Sequence, residues 1–108
     1  MEIKTIPSEE EQYQFDEFHL MLARNFAESS ASKHNDIISA LDAGNVALAH
    51  RLAHNLKSNA GQLRRSGLQK AAGAVEDNLD KGENRVTAQQ LKNLETELKA
   101  AIEVFKAL

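Results

Sequence analysis

Helix breakers are almost missing from this chain. A single proline stands at position 7 and five glycines are spread over 108 residues, while apolar residues recur at spacings of three and four nearly everywhere. That spacing stacks side chains on one face of a 3.6-residue helix, and no period-two alternation marks a strand. The expected fold is therefore all-α. A chain of this length makes one domain that buries a single core without metal or disulfide support.

Capping signals divide the sequence. Ser8, after Pro7 and three residues before Glu11, has the pattern of a capping box that opens a first helix. Its apolar seam runs Phe15, Phe18, Leu22 and Phe26, then Ile37 and Leu41. Because the spacing stays in phase across the polar stretch from Ser29 to Asn35, one long helix is expected, with a break near Ser29 to Ser32 as the alternative. Asp42-Ala43-Gly44-Asn45 sets a Gly C-cap beside an Asn N-cap and implies a tight reversal. A second helix follows with Val46, Ala49, Leu52, Ala53, Leu56, Ala60 and Leu63 on one side. Ser66 with Gln69 opens a third, through Leu68, Ala71, Ala72, Val75 and Leu79 to an end near Lys81-Gly82. Thr87 with Gln90 opens a fourth, with Leu91, Leu94, Leu98, Ala101, Ile102 and Phe105 inward. Four amphipathic helices joined by short turns predict an antiparallel up-down-up-down four-helix bundle with a long first helix. Residues 1–8 are expected to form an N-terminal extension and 9–108 the bundle.

Composition excludes several function classes. Without cysteine there is no disulfide framework, thiolate nucleophile or Cys-based zinc site. The opening MEIKTIPSEEEQ has no apolar core of the signal-peptide kind and no membrane-spanning run follows, so a cytoplasmic protein without membrane insertion is expected. A formal net charge of -3 argues against nucleic acid as partner. The charges are unevenly placed. Glu9, Glu10, Glu11, Asp16 and Glu17 crowd the front, whereas Arg51, Lys57, Arg64, Arg65 and Lys70 occupy a stretch with no carboxylate between Asp42 and Glu76. That basic zone suits an anionic group or an acidic protein surface. No Gly-rich phosphate loop and no GxxxxGK[ST] motif is present, so ATP binding is not expected.

Within the zone, His50, His54, Lys57 and Gly61 fall together on the polar side of the second helix, opposite the apolar stripe. His54 is expected to face solvent. An imidazole titrating near neutrality is a usable nucleophile, and the phosphohistidine it would become is an anion that Lys57, one turn on, stabilises and that neighbouring carboxylates would repel. Gly61 removes a side chain where the phosphoryl group or an approaching partner needs room. His19 and His34 read as ordinary solvent-facing histidines. His50 and His54 are one turn apart, as two metal ligands are, but no Asp, Glu or Cys nearby in sequence completes a shell and HExxH is absent, so no metal is expected. A triad needs a pocket, and this histidine sits on a convex helix surface.

The run Ala49-His50-Arg51-Leu52-Ala53-His54-Asn55-Leu56-Lys57-Ser58-Asn59-Ala60-Gly61-Gln62-Leu63, with Ala40-Leu41-Asp42-Ala43-Gly44-Asn45 before it and an Ala-rich amphipathic helix from Leu68 after it, resembles the histidine-containing phosphotransfer (HPt) domains of multistep phosphorelays. The resemblance covers most of the chain. It implies that His54 is the phosphoacceptor, Lys57 its cationic helper and Gly61 the small residue beside the site. Two positions depart from the family pattern: Ser58 and Arg64 stand where glycines are common, and Arg64 either lengthens the second helix or adds a docking charge. Where some members carry a glutamine that bonds the active histidine, this chain has Glu76. That carboxylate either accepts the Nδ1 proton and leaves Nε2 as nucleophile or is simply solvated.

The resemblance further implies a phosphocarrier, not an enzyme, that relays phosphoryl groups between aspartates of response-regulator receiver domains and that also stands alone or belongs to a hybrid sensor histidine kinase. Its cofactor is none of its own, with Mg²⁺ brought by the receiver. His50, Ser58, Gln62 and Arg65 are the expected partner-binding residues. The competing expectations are a helical-bundle adaptor with an incidental histidine and an HPt-like domain that has lost relay activity.

Overall fold

The computed structural model describes residues 4–6 and 13–108, with side chains from Phe15 onward. The Ser8–Glu11 capping box and the boundary after residue 8 lie outside the described residues. Two short antiparallel strands come first, β1 (Lys4–Ile6) and β2 (Tyr13–Phe15), with Lys4 opposite Phe15. Neither is expected from the sequence, because three residues are too few to show alternation. Five α-helices follow: α1 (Glu17–Ser29), α2 (Lys33–Asp42), α3 (Val46–Gln62), α4 (Ser66–Asp77) and α5 (Ala88–Lys106).

The first helix is not one long rod. It starts after Asp16, whose Oδ1 accepts the His19 N–H at 2.9 Å, and it stops at Ser30. The polar turn breaks it because its side chains bond locally: Ser29 Oγ donates to the Asn25 carbonyl at 2.8 Å, and Ser32 Oγ to Asp36 Oδ2 at 3.1 Å. The expected seam is also out of phase. Phe15 belongs to β2, so counting helical turns from it fails, and Phe18 is 58% exposed while Leu20, Ala23, Phe26 and Ala27 are buried.

The α2–α3 reversal follows the expectation. Ala43 ends α2, Gly44 takes the left-handed conformation at φ +74° that glycine adopts without Cβ strain, and Asn45 N–H reaches back to the Ala40 carbonyl at 2.8 Å. Asn45 Oδ1 then caps α3 by accepting the Leu48 N–H at 3.2 Å. Arg64 does not lengthen α3, which ends at Gln62. It sits at φ +59°, with the Arg65 N–H on the Ala60 carbonyl at 2.9 Å, and so closes the same kind of turn with a non-glycine residue.

Helix α4 begins at Ser66, with Arg65 rather than Ser66 at the N-cap position, and ends at Asp77, short of the expected Lys81-Gly82. A single 3₁₀ turn, Asp80–Gly82, follows, with Lys81 and Gly82 both at positive φ. Asn78 Nδ2 donates to Gln90 Oε1 at 2.8 Å, and the same oxygen accepts the Thr87 N–H at 3.0 Å, which ties the C-terminal end of α4 to the capping box that opens α5 as expected.

The helices bury one core from Phe15 to Phe105, with Ala49, Ala53, Leu56 and Ala60 of α3 facing Leu68, Ala72 and Val75 of α4 and α5 contributing Leu94, Leu98, Ala101, Ile102 and Phe105. His34 is not a solvent-facing histidine. Its side chain is largely buried and its Nε2 lies 3.0 Å from the Leu91 carbonyl, joining α2 to α5. Among the described residues no helix is long and apolar enough to cross a membrane.

Candidate functional site

Small residues on the α3–α4 seam bring the two backbones close. With alanines at 49, 53 and 60 on one side and 72 on the other, a short side chain on α4 spans the gap to the polar flank of α3. Helices α3 and α4 run antiparallel there. Going forward along α3 from His54 to Lys57 to Gly61, the opposing α4 residues are Glu76, Gly73 and Gln69, in descending order.

Glu76 is the hub. It is 8% exposed, and its two oxygens are divided between neighbours. Oε2 lies 2.7 Å from His54 Nδ1, Oε1 lies 2.7 Å from Lys57 Nζ, and His50 Nε2 stands 3.9 Å from Oε2. The stretch without carboxylates between Asp42 and Glu76 is thus acid-free in sequence but not in space, because α4 folds its last turn back onto α3. Burial pushes the Glu76 carboxyl up, but the contacts from Lys57 and His54 outweigh it and hold the group below its ordinary range. The Lys57 ammonium is raised, chiefly by its contact with Glu76. Glu76 is therefore a carboxylate, an acceptor only.

An ionised carboxylate only accepts, so a neutral His54 imidazole that shares a hydrogen with it donates from Nδ1 and keeps its lone pair on Nε2. The side chain is 52% exposed, so the imidazole projects from the bundle. The arrangement sets a half-exposed imidazole beside a cation one turn away on the same helix.

The remaining expected site residues are dispersed around this cluster. Ser58 is exposed on the next turn of α3. Gln62 is exposed farther along, where Leu22, Asn25 and Ser29 of α1 approach it. The space over Gly61 is not open: a Cβ there would lie 3.0 Å from Gln69 Nε2, so this glycine lets a side chain of α4 close over α3. Arg65 is not on a docking rim. It is 7% exposed because the turn after α3 carries it inward. Gly73, which sequence reasoning passes over, leaves room for the Lys57 stem, whose Cδ would stand 3.4 Å from a Cβ at that position. The signal was available, since Gln69, Gly73 and Glu76 share one face of α4 by helical spacing.

No group of three or more His, Cys, Asp or Glu residues suited to a metal ion occurs among the described residues.

A small helical bundle with a half-exposed histidine on one helix face describes a class rather than a function. A family model narrows it: the Hpt domain model matches residues 21–105, and the chain belongs to the Hpt domain family. Members of that family are phosphocarriers of two-component phosphorelays, working with receiver domains and histidine kinases. No curated protein and no solved structure matches the chain.

Proposed function

We propose that the chain is a phosphocarrier whose phosphoacceptor is His54 Nε2. What supports this reading above all is the His54–Glu76 contact of 2.7 Å, which favours the tautomer with Nε2 unprotonated on a half-exposed ring. We read α2 to α5 as the antiparallel up-down-up-down unit, with α1 laid against α5.

The reaction begins with an aspartyl phosphate on a receiver domain. The Nε2 lone pair attacks phosphorus in line, the acyl P–O bond breaks and the receiver's carboxylate leaves; the reverse step delivers the phosphoryl group to another receiver aspartate. Lys57 supplies a compact positive charge beside the incoming phosphoryl oxygens. Mg²⁺ comes with the receiver's own acidic pocket and offsets charge at the transferring group. His50, Ser58 and Gln62 border the approach to Nε2 on α3, and Gly61 with Gln69 forms a low shoulder beyond Lys57. The hybrid sensor histidine kinase upstream and the receivers downstream meet the same convex face, so each docking area is modest and each complex separates after transfer.

The test is radiolabelling from a phosphorylated receiver. The wild-type chain acquires an acid-labile, base-stable label and His54→Gln acquires none. Label retained in the variant overturns the assignment; a wild-type chain that stays unlabelled while fully helical is an adaptor or a relay-inactive relative instead.

A further inference from the structure

Phosphorylation at Nε2 leaves open what becomes of the proton on Nδ1, and the position of Glu76 bears on it. Resting on the reading of His54 as phosphoacceptor, we propose that Glu76 is a positioning residue that keeps Nδ1 protonated after the phosphoryl group has arrived, so that His54 carries its cargo as an N-phosphoimidazolium paired with a buried carboxylate.

The atoms balance without a further reactant. The neutral ring attacks through Nε2, the N–P bond forms as the receiver's acyl O–P bond breaks, and the Nδ1 hydrogen stays where it is. The ring then bears a positive charge 2.7 Å from the Glu76 carboxylate. On return, the N–P bond breaks towards the next carboxylate and the electron pair goes back to Nε2, releasing a neutral imidazole. A phosphoimidazole that has lost its Nδ1 proton must instead expel an anionic ring, a far poorer leaving group. An amide at position 76 can accept the same hydrogen bond but adds no negative charge to hold the proton.

The neighbours agree with this division of labour. The charged and titratable groups set around the ring among the described residues are His50 and Lys57 on α3 and Glu76 on α4, with Asp77 acting on Lys57 through space. Lys57 neutralises Oε1 from the far side, which leaves Oε2 to the imidazole. Glu76 being 8% exposed, water competes little for that hydrogen bond.

The experiment is the pH profile of dephosphorylation. The full chain is labelled from a phosphorylated receiver, the receiver is removed, and loss of label is followed from pH 5 to 10 for wild type and Glu76→Gln. Wild type keeps its fast, acid-type decay through neutrality, whereas Glu76→Gln loses it at lower pH and at pH 8 decays about tenfold more slowly, the ratio that one unit of displacement implies. Superimposable profiles overturn the proposal while leaving His54 as the carrier. ¹⁵N NMR of the phosphorylated wild type needs no variant: a hydrogen-bearing Nδ1 at pH 8 supports the proposal and a bare, pyridine-type Nδ1 overturns it. A wild-type chain that takes no label at all removes the underlying function as well, which separates the two failures.

Discussion

His54 and Glu76 meet across the α3–α4 seam with Nδ1 and Oε2 2.7 Å apart, the imidazole half in water and the carboxylate almost wholly out of it. This asymmetry makes the site depend on the last turn of α4, a helix that carries no nucleophile itself.

The stability of the fold should therefore fall on both sides of a broad pH plateau. Glu76, held below its ordinary value of 4.5, contributes stability that is present above that pH and lost as pH falls through its lower native value. Asp16, lowered mainly by the His19 backbone N–H, and Glu95, lowered mainly by Lys92, act in the same direction. Lys57, raised by Glu76, contributes stability that is present below 10.5 and lost as pH rises past it. Urea midpoints measured from pH 2.5 to 11.5 should show both declines, and Glu76→Gln should make the acid limb shallower without removing it.

Lys57→Ala should slow phosphoryl transfer from a receiver by about ten- to a hundredfold, the range set by losing one charge-assisted contact of about 1.5–3 kcal/mol. Its effect on stability is expected to be moderate, about 1–2 kcal/mol, because the ammonium is over a third exposed but its removal takes one partner from a carboxylate that is 8% exposed. Single-turnover transfer and circular dichroism of the same sample separate the two. A large loss of helicity would make Lys57 a structural residue.

Arg64→Gly should stabilise the protein. Arg64 holds φ +59° in the turn after α3, a conformation that costs a residue with a Cβ about 1–2 kcal/mol. Glycine removes that strain but gives up the interaction of the Arg64 side chain and about 0.4–1 kcal/mol of unfolded-chain entropy, for a net stabilisation of about 0.5 kcal/mol. A raised urea midpoint with unchanged slope is the expected result.

Two phenylalanines test the revised phase of α1. Phe105 is 1% exposed and stacks edge-on against Phe26 at 5.9 Å, so Phe105→Ala should cost about 3–5 kcal/mol. Phe18 is 58% exposed, and Phe18→Ser should move stability by no more than about 0.5 kcal/mol. If Phe18 proves as costly as Phe105, the seam running through Phe15, Phe18 and Leu22 is the true inner face.

The contrast among these helices explains what can be read from residues alone. Helices α3 and α5 are long, strongly periodic and closed by explicit caps at Asn45 and Thr87, and their inward faces agree with the buried set. The first helix misleads because Phe15 continues the spacing from inside a strand, and because the break at Ser30 rests on side-chain bonds from Ser29 and Ser32 that no apolar pattern records. At the site, His54, Lys57 and the option of Glu76 as acceptor are legible from one helix and one motif. That Lys57 is already paired, that Gln69 covers Gly61 and that Gly73 admits the lysine stem are relations between helices, and one-dimensional spacing does not carry them.

Gly61→Ala gives the sharpest separation of packing from access. A glycine inside a helix costs about 1 kcal/mol relative to alanine, so the substitution gains helix stability wherever its methyl fits. Here that methyl would stand 3.0 Å from Gln69 Nε2, the far end of an exposed, flexible side chain that can withdraw, while the α3 backbone need not move. The urea midpoint should therefore rise. Since Gln69 already stands over this position, a methyl beneath it narrows little that a partner could use, and the rate of phosphoryl transfer should stay within about twofold of wild type, a negligible change in barrier. A raised midpoint with transfer slowed by an order of magnitude would show instead that Gln69 swings aside in the complex and that receivers enter through the space Gly61 keeps clear.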